Sequence, residues 1–145
     1  MTTQESKETV RRLIEILNSH DLSRLDEICH DNMLYRLNTE VGASDLEAYK
    51  ELIQNSYNSF PDLEFTIEEL IAEGNKVHMI YKLIGTHKGK MVGTHEDEKI
   101  EIPASNNRIE LAVSSLVILK QEKIIEQQEF YDSLTLMKQI DAVPG

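Results

Sequence analysis

The sequence predicts an α+β fold in which N-terminal helices pack against an antiparallel sheet. Apolar residues recur with the helical period of about 3.6 in the first part of the chain, and with the strand period of two from Phe65 onward. Helices followed by meandering strands are typical of α+β proteins with antiparallel sheets. A chain of 145 residues suits one domain, 1–145, and is too short for two.

Three helices are predicted before residue 61. The first carries an apolar stripe formed by Val10, Leu13, Ile14 and Leu17. The second is short and begins at Asp21, a suitable N-cap. The third begins at a capping box of Ser44 and Glu47 and ends before Pro61. Its apolar face comprises Leu46, Tyr49, Ile53 and Tyr57.

The last two predicted strands differ in their polarity patterns. Residues 109–120 alternate cleanly, and Ser115 is the only polar member of the apolar face. The final strand runs from Lys123 to about Tyr131 and is polar on both faces, in Glu126-Gln127-Gln128-Glu129. A half-buried strand should alternate instead.

One face of this final strand is therefore predicted to carry polar groups into the concave side of the sheet. We assign Gln127 and Glu129 to that face, together with Ile125 and Tyr131. Burial disfavours the charged carboxylate and raises its pKa, which suits a general acid or base. The alternative is a strand at a rim or dimer contact, with all four polar groups hydrated.

Four segments resemble the SnoaL-like polyketide cyclase family of the nuclear transport factor 2-like superfamily. They are residues 60–77, which begin Phe60-Pro61-Asp62, then Gly85-Thr86-His87-Lys88-Gly89, Ile102-Pro103-Ala104-Ser105-Asn106, and residues 123–132. The resemblance implies a cone-shaped α+β fold. Its curved antiparallel sheet would wrap around the N-terminal helices and enclose an internal pocket.

The resemblance also implies a role for Glu129. Cyclases of this family typically end in a Glu-x-Trp-Asp pattern, whose Asp is the acid/base of an intramolecular aldol closure. Glu129 falls at that Asp and Gln128 at the Trp, while Ser115 falls at a His that assists on the preceding strand. The carboxylate is thus retained with one more methylene, and the aromatic ring and the imidazole are replaced.

Other candidate site residues are a histidine and four tyrosines. His87, at a common family position, is either an acid/base at the pocket mouth or a corner residue that bonds to backbone. A tyrosine has an apolar body and a polar tip, so some could orient a ligand carbonyl while others are core. These are Tyr35, Tyr49, Tyr57 and Tyr81, which join Ser115 and Gln127 as candidate substrate-binding residues.

Two classes of function follow. One is a cofactor-independent lyase or isomerase that performs aldol-type proton transfer on a small apolar or carbonyl-containing compound. The other is a non-catalytic ligand-binding or dimeric accessory protein. A homodimer is predicted from apolar residues on the outer face of the sheet, which are Ile80, Ile84, Leu116 and Ile118.

Composition excludes several other classes. The net charge of −11 argues against nucleic-acid binding, and no apolar run approaches the length of a membrane span. The N-terminus lacks the pattern of a secretory signal, and the lone Cys29 fits a reducing cytoplasm.

Residues 94–101 form an acidic insertion of about eight residues relative to the family loop. His95 and Glu96 to Glu98 lack a metal-ligand spacing, so we expect a hydrated, mobile lid over 90–101 and no metal site. Asp132 is predicted to cap a short C-terminal helix.

Overall fold

A computed structural model describes residues 2–38, 42–95 and 98–143 of the chain, without the side chains of residues 94 and 95. Its helices are α1 (Thr3–Ser19), a 3₁₀ helix (Leu22–Glu27), α2 (Leu46–Ser59) and α3 (Ser133–Gln139). Its strands are β1 (Cys29–Leu37), β2 (Glu64–Glu73), β3 (Lys76–Thr86), β4 (Met91–His95), β5 (Glu98–Ile102), β6 (Arg108–Lys120) and β7 (Lys123–Phe130). No helix of the described residues is long and apolar enough to cross a membrane.

Five strands form one curved sheet in the order β1-β7-β6-β3-β2. The pairs from β2 to β7 are antiparallel, but β1 runs parallel to β7. The α+β class with a curved sheet is thus confirmed, and the sheet is mixed where the sequence predicted an antiparallel one. No hairpin turn joins β1 to β7, since the chain leaves β1 through α2 and begins β2 at the opposite edge. Local turn chemistry therefore leaves the direction of β1 open.

The helices bury the faces that the sequence predicts. In α1 the residues Val10, Leu13, Ile14 and Leu17 are buried, and this face packs on β2 and β3. The predicted face of α2 is buried as well and lies against β1. The N-cap of α2 is Asp45, which accepts a hydrogen bond from the Ala48 N–H at 2.9 Å, so the predicted Ser44 capping box is wrong. Ser44 instead exchanges two backbone hydrogen bonds with Tyr35, both at 2.8 Å.

A bulge near the start of β7 changes which residues face the interior. Leu119 pairs with Ile124, whereas Ile118 pairs with Glu126, so Ile125 is the extra residue. Ile124 is fully buried and Ile125 only partly. The prediction that Ile125 shares the inward face with Glu129 is therefore wrong, because the bulge reverses the alternation of inward and outward side chains at that point.

The acidic segment forms regular structure rather than an irregular loop. Strands β4 and β5 pair antiparallel, from Met91 with Ile102 to His95 with Glu98. Residues 96 and 97 lie outside the described residues, as does the His95 side chain. The segment predicted as a loop thus contains two paired strands, and its role as a mobile lid stays a prediction.

Candidate active site

Glu129 lies at the centre of a buried polar network. Only 3% of the Glu129 surface is exposed to solvent. The Tyr35 hydroxyl donates a hydrogen bond to Oε1 at 2.7 Å, and the Tyr81 hydroxyl bonds to Oε2. Within the described parts of the chain, no Lys or Arg forms an ion pair with this carboxyl. The carboxyl group is thus held by neutral donors alone.

The order of the strands explains how these residues meet. Leu37 and Tyr35 of β1 lie beside Glu129 and Gln127 of β7, and Ser115 of β6 pairs with Glu129 on the other side. Residues directly opposite each other on paired strands share a face of the sheet. Tyr81 reaches the same layer from β3, next to β6.

Helix α2 covers this layer with Tyr49. The Tyr49 residue is 1 % exposed, and its ring centroid lies 4.6 Å from that of Tyr35. Tyr35, Tyr49, Tyr81, Ser115 and Gln127, which were predicted as binding residues, therefore surround the predicted acid/base. Four strands and one helix contribute to this single layer.

Burial raises the pKa of the Glu129 carboxyl above its ordinary value of 4.5. Hydrogen bonds from Tyr81 and Tyr35, and then from Ser115 and Gln127, oppose part of this shift because they stabilise the carboxylate. Burial also raises the pKa of the Tyr35 and Tyr81 hydroxyls, and the nearby Glu129 charge adds to it. The tyrosines therefore remain neutral donors while the carboxyl can gain or lose a proton.

Gln127 brings an unpaired acceptor to the network. Its Nε2 donates to the Ser115 hydroxyl oxygen at 3.3 Å, and both residues are almost fully buried. Its Oε1 is buried and has no hydrogen-bond partner among the described residues. A buried polar atom without a partner is costly, so this oxygen remains available to accept a hydrogen bond.

The structure does not bring Tyr57 into this network. Its hydroxyl donates to the Leu17 carbonyl oxygen at 2.7 Å, which ties α2 to α1. Its ring stacks on His20 with centroids 4.0 Å apart. Tyr57 is thus engaged in helix packing.

His87 also lies apart from Glu129, in the corner after β3. It follows Tyr81 by six positions, which corresponds to roughly 20 Å along an extended strand. Its Nδ1 accepts a hydrogen bond from the Ser105 N–H at 3.2 Å, and its ring packs on Phe60 at a centroid distance of 5.3 Å. Burial lowers the pKa of its imidazole, with partial opposition from the Gly89 backbone. These contacts favour the interpretation of His87 as a corner residue that bonds to backbone over that of an acid/base at the pocket mouth.

An open groove lies beside the network, between β1 and α2. Its volume is about 440 Å³, within the range of small-molecule sites. Tyr35 belongs to both the groove and the network. The remaining lining residues are Leu37, Gly42, Ala43, Ser44, Ala48, Glu51, Leu52 and Asn55. Sequence reasoning missed them, although Ala48 and Leu52 lie four positions apart and so share one face of α2.

The helices and the curved mixed sheet together form the cone-shaped α+β fold of the nuclear transport factor 2-like class. The family model of the SnoaL-like polyketide cyclases matches residues 7–140. The chain therefore belongs to the SnoaL-like polyketide cyclase family.

Solved structures share this fold at low sequence identity. A protein described as a SnoaL-like polyketide cyclase from Jannaschia sp. CCS1 is similar with a TM-score of 0.83 and 23% identity, over 98% of this chain and 95% of that one. AclR of Streptomyces galilaeus, described as a candidate hydroxylase, is similar with a TM-score of 0.81 and 16% identity, over 99% of this chain and 85% of that one. TsrD of Streptomyces laurentii is similar with a TM-score of 0.78 and 20% identity, over 99% of both chains. A search of curated proteins found no match.

Proposed function

We propose that this protein binds a small carbonyl-containing compound with an apolar body and transfers a proton to or from it. The reaction would be an aldol-type lyase or isomerase step without a cofactor, and Glu129 would be its general acid/base. The observation that carries the proposal is the buried Glu129 carboxyl, which is held by two tyrosine hydroxyls and, among the described residues, by no cation. Membership of the cyclase family supports the reaction class.

The chemistry follows from the two protonation states of Glu129. As a neutral acid it can protonate a ligand oxygen, and as a carboxylate it can accept the proton of an acidic C–H bond. The tyrosine hydroxyls are already aimed at the carboxyl and stabilise its charge when it forms. Positioned proton transfer of this kind contributes about 10²–10⁴-fold to a rate.

A second candidate function is non-catalytic ligand binding, including a role as a dimeric accessory protein. It is favoured by the existing hydrogen bonds of Glu129, because each carboxyl oxygen already accepts a tyrosine hydroxyl. In this role Gln127 Oε1 would bind a ligand donor, and the carboxyl would organise the tyrosines. The single domain 1–145 would act as a homodimer in the cytoplasm, consistent with a free, buried Cys29.

The two candidates are separated by 2-tetralone, a small bicyclic ketone with acidic C–H bonds, in deuterated buffer. Proton NMR measures the exchange of its C1 protons, and carbon NMR follows the titration of Glu129. If the protein is a catalyst, the natural protein should accelerate the exchange of the C1 protons, and Glu129→Gln should lower this exchange rate at least a hundredfold. The titration should then give a raised pKa for Glu129. Glu126→Gln, on the outer face of the same strand, is the control. Bound 2-tetralone without enhanced exchange would favour the second candidate.

A further inference from the structure

We propose that the groove between β1 and α2 is the ligand site, and that the ligand contacts Tyr35, through which Glu129 exchanges its proton. This inference rests on the proposed function and adds the route by which a ligand reaches the buried acid. Glu129 itself does not line the groove, whereas Tyr35 does. Tyr35 is thus the residue that links the groove to the acid.

The two tyrosines on Glu129 differ in this respect. Both hydroxyls bond to the same carboxyl, one to each oxygen. Tyr35 forms part of the groove wall, while Tyr81 lies three strands further into the sheet, on β3 beyond β7 and β6, and is not among the lining residues. A ligand in the groove would therefore touch the Tyr35 residue but not Tyr81.

The groove also limits the class of ligand. Leu37, Ala48 and Leu52 offer apolar surface, while Ser44 and Asn55 bring polar groups to the same wall. Glu51 adds a carboxylate, which disfavours anionic ligands at this position. These features suit a neutral ketone of one or two rings, whose carbonyl region meets the Tyr35 hydroxyl.

The proton step balances with groups that the structure contains. The ligand C–H bond breaks, its electron pair remains as an enolate, and the proton moves to the Tyr35 oxygen. At the same time the Tyr35 hydroxyl proton moves to Glu129 Oε1 along the 2.7 Å hydrogen bond. Tyr35 stays neutral overall, and Glu129 becomes the neutral acid. The reverse transfer delivers a proton to the enolate.

The first test compares the two tyrosines in the 2-tetralone exchange assay. Tyr35→Phe should lower the exchange rate at least a hundredfold, as Glu129→Gln does. Tyr81→Phe removes a hydroxyl from the same carboxyl outside the groove and should lower the rate less than tenfold. If Tyr35→Phe retains exchange while Glu129→Gln loses it, the ligand contacts Glu129 directly. That result would overturn the inference and leave the proposed function standing.

The second test does not depend on turnover. In protein labelled with carbon-13 tyrosine, millimolar 2-tetralone should shift the Tyr35 resonance. Ala48→Trp fills the groove from an exposed position and should abolish the shift, whereas Gln54→Trp, exposed on the same helix outside the groove, should preserve it. No Tyr35 shift, or a shift that survives Ala48→Trp, would overturn the inference. Circular dichroism checks that each variant is folded.

Discussion

At the scale of single residues, the proton on Glu129 links the site to stability. A buried carboxyl that keeps its proton to a higher pH than the unfolded chain releases it on unfolding. The raised pKa of Glu129 therefore defines an interval, from about its ordinary value of 4.5 up to the folded pKa, in which the unfolded state binds fewer protons. Through this interval the free energy of unfolding falls as pH rises, and above it this contribution is constant.

Glu129→Gln should remove this pH dependence, because the amide does not titrate. We expect the stability of the variant relative to the natural protein to rise as pH increases from 4.5 and then level off. Urea denaturation at a series of pH values between 4.5 and 8 measures the difference. Glu126→Gln, on the outer face of β7, controls for the loss of one negative charge. A difference that is constant with pH would show that Glu129 titrates alike in both states.

The alternation of polar residues predicted part of the site. Period two in residues 126–129 placed Gln127 and Glu129 on one face, and the same rule placed Ser115. The partners of Glu129 could not be predicted in this way, because Tyr35 lies 94 positions away and meets it only through the strand order. Tyr57 shows the converse, since its helical face predicts burial but not that its hydroxyl would bond to Leu17.

At the scale of elements, side chains attach helices and loops to the edges of the sheet. Asn18 near the end of α1 donates to the Phe65 carbonyl at 2.8 Å and accepts from the Phe65 N–H at 2.7 Å. Asn18 thereby satisfies the N–H and the carbonyl oxygen of Phe65, which point outward from the edge strand β2. This contact fixes the end of α1 on the strand that its apolar face covers.

Asn18→Ala should lower the free energy of unfolding by between about 1 and 2 kcal/mol, since two hydrogen bonds to backbone are lost. Asn55→Ala, an exposed asparagine within α2, corrects for the better helix propensity of Ala. Urea denaturation of the two variants measures the difference. Equal stabilities would mean that water replaces both bonds without loss.

Gly89 marks a close approach between the corner after β3 and the end of α2. A Cβ atom at this position would lie 1.9 Å from the Asn58 carbonyl oxygen, too close for any side chain. Gly89→Ala should therefore destabilise the protein by about 1–3 kcal/mol, as overpacking does. Gly93→Ala is the matched control, because its Cβ would meet Ile100 at 3.7 Å. Thermal unfolding of both variants gives the comparison, and similar midpoints would contradict a rigid corner.

Element types were easier to predict than their connections. The apolar stripes of α1 and α2 and the alternation of β6 fixed where helices and strands lie. The bulge at Ile125 and the direction of β1 carry no comparable local signal, since each depends on a partner strand elsewhere in the chain.

At the scale of the whole molecule, the outer face of the sheet bears on assembly. The predicted residues Ile80, Ile84, Leu116 and Ile118 are all partly exposed. Ile71 and Phe130 extend this surface and are 55% and 43% exposed. Apolar residues gathered on one sheet face are typical of protein contacts.

We therefore expect a homodimer that uses this face. Light scattering after size exclusion at micromolar concentration should give twice the chain mass of 16.7 kDa. Leu116→Lys should shift the protein toward the monomer, because the paired surface would then bury a charge. Leu134→Lys, at an exposed leucine on α3, is the control. A natural protein that stays monomeric would contradict the prediction.

The parallel pairing of β1 with β7 also bears on the order in which the chain folds. Cys29 and Ile124 are register partners, and nearly the whole sheet is encoded between them. At about 5–20 residues per second, a ribosome needs roughly 5–20 s to travel from one to the other. During that time β1 can pack on α2 and form its bridge with Ser44 but cannot pair with β7, while the strands from β2 to β6 can already pair. Tyr35 on β1, which links the groove to the buried acid, is thus among the last residues to reach its native position.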